Sequence, residues 1–554
     1  MHEDLSSAQP LFNPLGLTNE DKYLLKPFFT NLDKPVFTVS MLPPEVIGAL
    51  CSRASRAKGD LRTIFLEEFV KPFLEDKSDY SKALREFIDF LHTNPTSLIF
   101  SNPKGRDFYI KWLAQYGDDS IAQMAGSHLV FSQLSLVAIK HFETMRVGIA
   151  PIEKSTRYVD YSEKINGHYL YYTDPKLKNL GLYEEYERVM DMIFDTYTEL
   201  TKKYGEYLTK HFPDEKSLLI KTKTFDTVRG ILPLSTLSQV AFFANGQAFE
   251  YAISRSLKHP LAEVRWAGQA SYNELSLTIP SFVRRLESDI SDEYQSYLSS
   301  QPQKAEAITT KLNLKTKNTP ARWGVRLLEY DPHGENKVIA GFLYPYLHQS
   351  FDELVDTVTH LAPTEKDEIL KIIFQDRTAR WYKTPRSFEH AQLTFEVTAN
   401  WGVWKDLQRH RMLTEQHELF SATLGYEVPV ELEEAGLDGL FREAVDASTS
   451  LYQKIAVHDI ALAQYAVTQT HYHRFIQRQN LRSFFWEAEL RTIAQGHPDY
   501  RKIEQEKVKL VRDVYPHIGR FVMADMTDYT FARRGSEEST KQKEKELQDY
   551  LKNK

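Results

Sequence analysis

A single cysteine, Cys51, stands in 554 residues. That excludes an intramolecular disulfide framework and a thiolate metal cage, since each needs at least two sulfurs. No run approaches the roughly 18 apolar residues of a membrane-spanning helix. The opening MHEDLSSAQPLFNPLG lacks both the basic start and the apolar stretch of a leader, so a cytoplasmic location without a membrane partner is expected. No strand, Gly-x-Gly-x-x-Gly turn and helix follow one another, which argues against a dinucleotide-binding dehydrogenase. Positive charge is also in short supply: 69 Lys and Arg face 76 Asp and Glu, a net charge of -7. No global field would gather nucleic acid, and any anion site must be local. His471-Tyr472-His473 invites a metal, but alternate residues on a helix diverge by about 200° and no carboxylate or thiol completes a ligand set, so no metal is expected. Cys51 has Arg53 and Arg56 nearby, yet its segment reads as an ordinary helix, and no reactive thiol is expected.

What is abundant describes a globular chain: 42% hydrophobic and 12% aromatic residues, in a length that suggests two or three domains. The polar stretch YLSSQPQKAEAITTKLNLKTKNTPAR has no apolar period and reads as a linker over 297–322. It divides a first unit, 22–296, preceded by an extension at 1–21, from a second unit, 323–534, followed by a charged tail at 535–554. Leu182, Tyr186, Met190, Ile193 and Tyr197 recur at spacings of three and four and mark an amphipathic helix. The second unit opens on WGVRLLEYDPHGENKVIAGFLY, which reads as strand, turn and helix.

One constellation occurs twice, partly eroded each time. The first unit carries FETMRVGIAPIEKSTRYVDYS, with Ser155, Arg157 and Tyr158. The second carries FEVTANWGVWKDLQRHRMLTEQHELF, with Arg409, His410 and Arg411. Ser-x-Arg-Tyr supplies a hydroxyl, a planar fork and an aromatic platform, and Arg-His-Arg packs cationic and hydrogen-bonding groups into three residues; both suit phosphorylated ligands. Arg146 stands where the last arginine of the triplet would be, but Thr144 and Met145 replace the other two. The second copy in turn offers Gly425 where an arginine would precede Tyr426. The closing regions also correspond. Arg229 lies four before Pro233, Asn245 twelve after it and Arg255 ten after the asparagine; in the second unit Arg482 lies two and Arg491 eleven after Asn480, and Gln464 takes the slot of Arg229.

These elements, with Glu389-His390 ahead of the TFE strand, resemble the flavin-dependent thymidylate synthases over most of the chain. The resemblance implies an α+β fold in two tandem copies, each an antiparallel sheet flanked by helices. It implies FAD as cofactor, and reductive methylation of dUMP to dTMP with methylenetetrahydrofolate and NADPH. Carried over residue by residue, Ser155, Arg157, Tyr158, Arg229, Arg255 and Arg146 would bind substrate. Glu389, His390, Arg409, His410, Arg411, Asn480, Arg482 and Asn245 would bind cofactor, and Arg409, Arg491 and Arg255 would serve catalysis. Because the family forms homotetramers with sites drawn from several subunits, a homodimer making a pseudo-tetramer is expected, with Arg157 and Arg409 serving one pocket. Two alternatives stay open: a scaffold or regulator of the same fold that has lost catalysis, and a flavoenzyme acting on another pyrimidine.

Overall fold

The structure, a computed structural model, describes residues 4–75, 79–94, 104, 107, 120–145, 147–314 and 321–552. Within them one order of strands runs twice. The first copy holds β1 (Val36–Val39), β2 (Gly126–Ser135), α1 (Leu136–Glu143), β3 (Ile149–Glu153), α2 (Tyr183–His211), α3 (Ser217–Val228), β4 (Leu237–Asn245), α4 (Gly246–Ser256) and α5 (Ala262–Thr278). The second holds β5 (Gly324–Tyr330), β6 (Gln392–Asn400), α6 (Trp401–Leu407), β7 (Thr414–His417), α7 (Asp438–Ala456), β8 (Tyr472–Asn480), α8 (Leu481–Arg491) and α9 (Pro498–Val514). The two sheets have the same topology, β1-β2-β4-β3 and β5-β6-β8-β7, with every pairing antiparallel. The fold is therefore α+β in two tandem copies, as the resemblance implies.

Four strand-to-helix junctions fix the correspondence. Ser135 and Asn400 end β2 and β6, and their side chains accept the N–H groups of Ala138 and Val403 to cap α1 and α6. Asn245 and Asn480 do the same between β4 and α4 and between β8 and α8. A short polar side chain with extended backbone is what leaves a strand and opens a helix in one step. Replacing Asn480 by Ala should cost about 1 kcal/mol, read from urea unfolding, because the first turn loses its acceptor.

Chain contacts divide the molecule differently from sequence order. One compact unit comprises Met1–Glu199, Ile231–Lys317 and Leu440–Val467; the other comprises Leu200–Gly230, Asn318–Gly439 and Thr468–Lys554. The first copy thus gives α3 to the second unit, and the second copy gives most of α7 to the first. In the first unit, Tyr186, Met190, Ile193 and Tyr197 of α2 are buried, and Leu182 sits just ahead of the helix. In the second, all seven residues of α6 are buried, Lys405 and Asp406 included. The Asp-Pro-His-Gly turn does join β5 to a helix, Gly334–Leu343. The polar stretch read as a linker contains a helix, Gln301–Lys311, with no buried residue; its Gln-Lys-Ala-Glu-Ala run has the propensity for a helix without the apolar face that docks one.

Candidate functional site

Arg409-His410-Arg411 begins where α6 ends, in a turn leading toward β7. Consecutive helical residues diverge by about 100°, and leaving the helix here removes that constraint. Arg409 is exposed, while His410 and Arg411 are partly covered. Arg491, the last residue of α8, donates from Nε to Nε2 of His410 at 2.7 Å. Accepting that bond leaves the ring proton on Nδ1. Burial, reinforced by the charges of Arg491 and Lys507 and opposed by Glu487, pushes His410 down to about 4, so the ring is neutral at physiological pH. The Arg491→Gln variant should raise the His410 pKa while leaving it below the usual value, since burial remains; an NMR titration from pH 3 to 8 reads this directly. An unmoved midpoint would count against the contact.

Glu389 and Arg482 also meet. Arg482 donates from Nη1 to Glu389 Oε1 at 2.9 Å and from Nε to the Thr384 carbonyl at 2.9 Å. Arg386 takes the other carboxylate oxygen at 3.0 Å. Bonds from Arg386 first, and then Arg482, hold Glu389 below the usual carboxylate range. The His390 ring lies against Phe351 at a tilt of 36°, with ring centroids 4.8 Å apart. It approaches Gly341 so closely that a Cβ there would lie 2.6 Å from its ring, so only glycine fits. Asn480 caps α8, and Ser483 in the same turn donates to the Met412 carbonyl at 3.0 Å. The cap therefore ties the opening of α8 to the residue after the triplet.

The first copy repeats this geometry with different chemistry. Arg255 donates from Nη1 to Met145 Sδ at 3.1 Å, so Met145 holds the place of His410 and Arg255 that of Arg491. Met145 and Asn245 line an open cleft of about 1000 Å³. Arg146 lies outside the described residues. Ser155, Arg157 and Tyr158 form a turn directly after β3. Ser155 Oγ accepts the Arg157 N–H at 3.2 Å, and the Arg56 guanidinium lies 5.7 Å from the Tyr158 ring centre. Arg229 is buried in the second compact unit, where its Nη2 donates to Asp406 Oδ2 at 3.3 Å. Cys51 is buried, and burial pushes its thiol up to about 11, the opposite of what a nucleophile needs.

A buried polar network beneath the triplet went unread in the sequence. Lys507 of α9, fully buried, donates to Glu504 Oε1 at 2.7 Å and to Gln477 Oε1 at 2.5 Å, with Glu487 Oε1 at 3.7 Å. The first copy is apolar or small at the equivalent places. Three before its capping asparagine stands Phe242 for Gln477, seven after it Ala252 for Glu487, and along α5 Gly268 and Ser271 replace Glu504 and Lys507. Glu504 and Lys507, three apart on the buried stripe that holds Ile503, Val508 and Val511, were the available signal.

Residues 79–281 and 326–517 match the family described as "Thymidylate synthase complementing protein". Each matched segment takes in most of one sheet. A UPF0159 protein of Chlamydia muridarum (strain MoPn / Nigg) is 32% identical over 525 residues, covering 91% of this chain and 94% of that protein. A UPF0159 protein of Chlamydia pneumoniae is 33% identical over 533 residues, covering 94% and 97%. One of Thermoplasma acidophilum is 27% identical over 528 residues, covering 88% and 97%.

Proposed function

The chain belongs to the thymidylate synthase complementing protein family, and on that premise we propose that it is an FAD-dependent thymidylate synthase, converting dUMP to dTMP with methylenetetrahydrofolate and NADPH. The observation that carries this reading is the complementary wear of two copies of one sheet topology. The second keeps the Arg-His-Arg turn with Arg491 on a neutral His410; the first puts Met145 there yet keeps Ser155-x-Arg157. Loss without function has no reason to spare opposite halves of one constellation.

The residues of the second copy fit a flavin dinucleotide. Arg409 and Arg411 leave the helix end as planar forks suited to a pyrophosphate, and the Glu389–Arg482 pair stands at the junction with α8. The chemistry that FAD supplies when bound is hydride transfer, drawn from NADPH. The chain's own residues bind and orient. Arg157 and Ser155 hold the dUMP phosphate, with Tyr158 and Arg146 completing the substrate set of the first copy. Arg409, Arg491 and Arg255 place positive charge where the reacting ring gains electrons. Glu389, His390, His410, Asn480 and Asn245 position the cofactor and its arginines.

Among the described residues no helix is long and apolar enough to cross a membrane, which accords with a cytoplasmic enzyme. Two chains would supply four copies of the fold, the number in the homotetramers this family forms, and light scattering would read a dimer. The decisive measurement is the visible spectrum of the purified protein with and without added FAD, followed by an assay for dTMP. Flavin bands and turnover support the synthase. Protein that stays colourless with FAD favours the catalytically silent scaffold instead. Arg409→Ala should weaken FAD binding at least tenfold with little change in melting temperature, because an exposed polar change away from the core costs little stability; unchanged flavin affinity would move the cofactor elsewhere.

A further inference from the structure

The buried network beneath the Arg-His-Arg turn holds more carboxyls than its ammonium can balance. Lys507 Nζ donates to Glu504 Oε1 and to Gln477 Oε1, with Glu487 Oε1 3.7 Å away. The Gln477 amide extends the chain, donating from Nε2 to Glu415 Oε2 at 3.2 Å, and Trp404 Nε1 donates to Glu415 Oε1 at 3.0 Å. Three carboxyls, from β7, α8 and α9, thus depend on one lysine. Glu504 is fully buried, and its Oε2 has no hydrogen-bond partner. An ionised oxygen so placed is the costly state, and a proton on the carboxyl relieves it. Burial is the main cause that pushes both Glu415 and Glu504 up to about 7. Glu487 joins the network to the turn: it precedes Arg491 by one turn of α8, Arg491 bonds His410, and the Glu487 charge acts on His410 and Lys507 alike.

Charged groups on the surrounding elements have other partners. Arg501, one turn before Glu504, donates to the Thr492 and Thr527 carbonyls. On α6, Lys405 Nζ lies 5.8 Å from the Trp401 ring centre and Asp406 accepts from Arg229. Arg326 of β5 donates to Glu396 of β6. His417 of β7 and His473 of β8 meet Trp404, with ring centroids 4.7 and 5.1 Å away. The first copy supplies the independent observation. It has Met145 in place of His410, and it has lost the network as well. Pro151 faces Phe242 across its sheet where Glu415 faces Gln477. Ala252, Gly268 and Ser271 stand for Glu487, Glu504 and Lys507. A network that only fastened α9 to α8 would have no reason to vanish together with the triplet.

We propose that Glu504 and Glu415 are a proton store for the Arg-His-Arg turn, taking up a proton from solvent when a pyrophosphate settles on Arg409 and Arg411. The step converts a carboxylate to a carboxylic acid; Lys507 stays an ammonium and His410 stays neutral. The arriving negative charge disfavours the ionised carboxylates below it, and in a buried setting that repulsion is poorly screened. Both glutamates are positioning residues, acting on the ligand through Glu487, Arg491 and His410. The proposal rests on the reading of the turn as the cofactor's pyrophosphate site.

Titration calorimetry on the full chain, in buffers of different ionisation enthalpy, counts the protons exchanged on binding. The probes are FAD and adenosine diphosphate ribose, pyrophosphate diesters whose own charge is constant from pH 6 to 9. At pH 7.5 the parent should take up a fraction of one proton with either. Affinity should rise several-fold as pH falls from 9 to 6, since a group that binds protons more tightly in the complex favours the complex where protons are available. Glu415→Gln with Glu504→Gln keeps acceptors for Trp404 and Lys507, and should abolish the uptake and the pH dependence while leaving affinity at pH 6 near that of the parent. Glu504→Gln alone should remove a large part of both, and thermal melts report the folding of each variant. NMR of the His410 ring in the complex should show it neutral at pH 7.5. If neither diester binds, the cofactor reading falls and this coupling with it. If FAD binds without proton uptake, if the folded double variant takes up as much as the parent, or if His410 carries the proton, the coupling alone is overturned.

Discussion

Replacing Lys507 by Met is expected to destabilise the protein by about 3–5 kcal/mol near pH 8, the cost of removing one partner from a buried charged network. Lys507 is fully buried and bonds Glu504 and Gln477, with Glu487 close by. Burial opposes its charge, but Glu487 and Glu504 together hold its pKa above the usual lysine value. Glu504 in turn is pushed up to about 7, by burial first and by the Glu487 charge second. A carboxyl raised in the folded state binds its proton there more tightly than in the unfolded chain. Its contribution to stability is therefore complete below the ordinary value near 4.5 and is lost as pH rises through about 7. Without the ammonium, Glu504 holds its proton to still higher pH, and Glu487, which burial opposes but Lys507 holds below the usual carboxylate range, loses that support; the loss in Lys507→Met should therefore be larger at pH 8 than at pH 5. Urea unfolding followed by the fluorescence of the buried Trp401 and Trp404 reads both values. Adding Glu504→Gln should recover part of the loss, since one buried carboxylate disappears. A loss below about 1 kcal/mol at pH 8 would mean that the carboxylates have partners other than this lysine.

Local chemistry was the legible part of this chain. Asn245 and Asn480 announced the duplication because a strand-to-helix cap depends on a few neighbouring residues, and each sits at such a junction. The α2 stripe was legible for the same reason: its period is the period of the helix. Arg491 and Arg255 stand eleven and ten residues after their capping asparagines, one position out of register, yet the structure gives both the same task, reaching the middle position of the intact or eroded triplet. What stayed hidden depends on which segments meet in space. No periodicity tells that α3 joins the second compact unit or that most of α7 joins the first. Arg229, grouped by sequence with Ser155 and Arg157, consequently turns up beside Asp406. The Lys507 network was hidden for another reason. A lysine and glutamates at helical spacing ordinarily read as a solvated face, and only the packing of α9 against α8, β5 and β6 buries these.

The two copies bury their charge at different places, the first at Lys140 with Glu143 and Glu153, the second at Lys507 with Glu504. The first copy has no buried ammonium at the place of Lys507, and its retained arginine, Arg157, lies in a surface turn whose shape Ser155 sets. The Ser155 hydroxyl accepts the Arg157 N–H, and the Tyr158 and Val159 N–H groups donate to the Ser155 carbonyl at 3.2 and 3.1 Å. Backbone order of this kind presents a guanidinium without the entropy cost of a loose loop. Nearby, Lys154 donates to the Lys58 carbonyl at 2.9 Å and is lowered by burial to about 8, so Arg157 is the durable cation of the turn. Its bidentate bond to a phosphate is worth about 1.5–3 kcal/mol, and Arg157→Ala should therefore raise the dUMP dissociation constant by about one to two orders of magnitude. Arg157→Lys should restore only part of this, since a point charge cannot reproduce the fork. Ser155→Ala should have a smaller effect, loosening the turn while leaving the guanidinium in place. FAD affinity should stay near that of the parent in all three. If Arg157→Ala binds dUMP as tightly as the parent while Arg229→Ala does not, the phosphate belongs to the second compact unit and the Ser-x-Arg turn has another role.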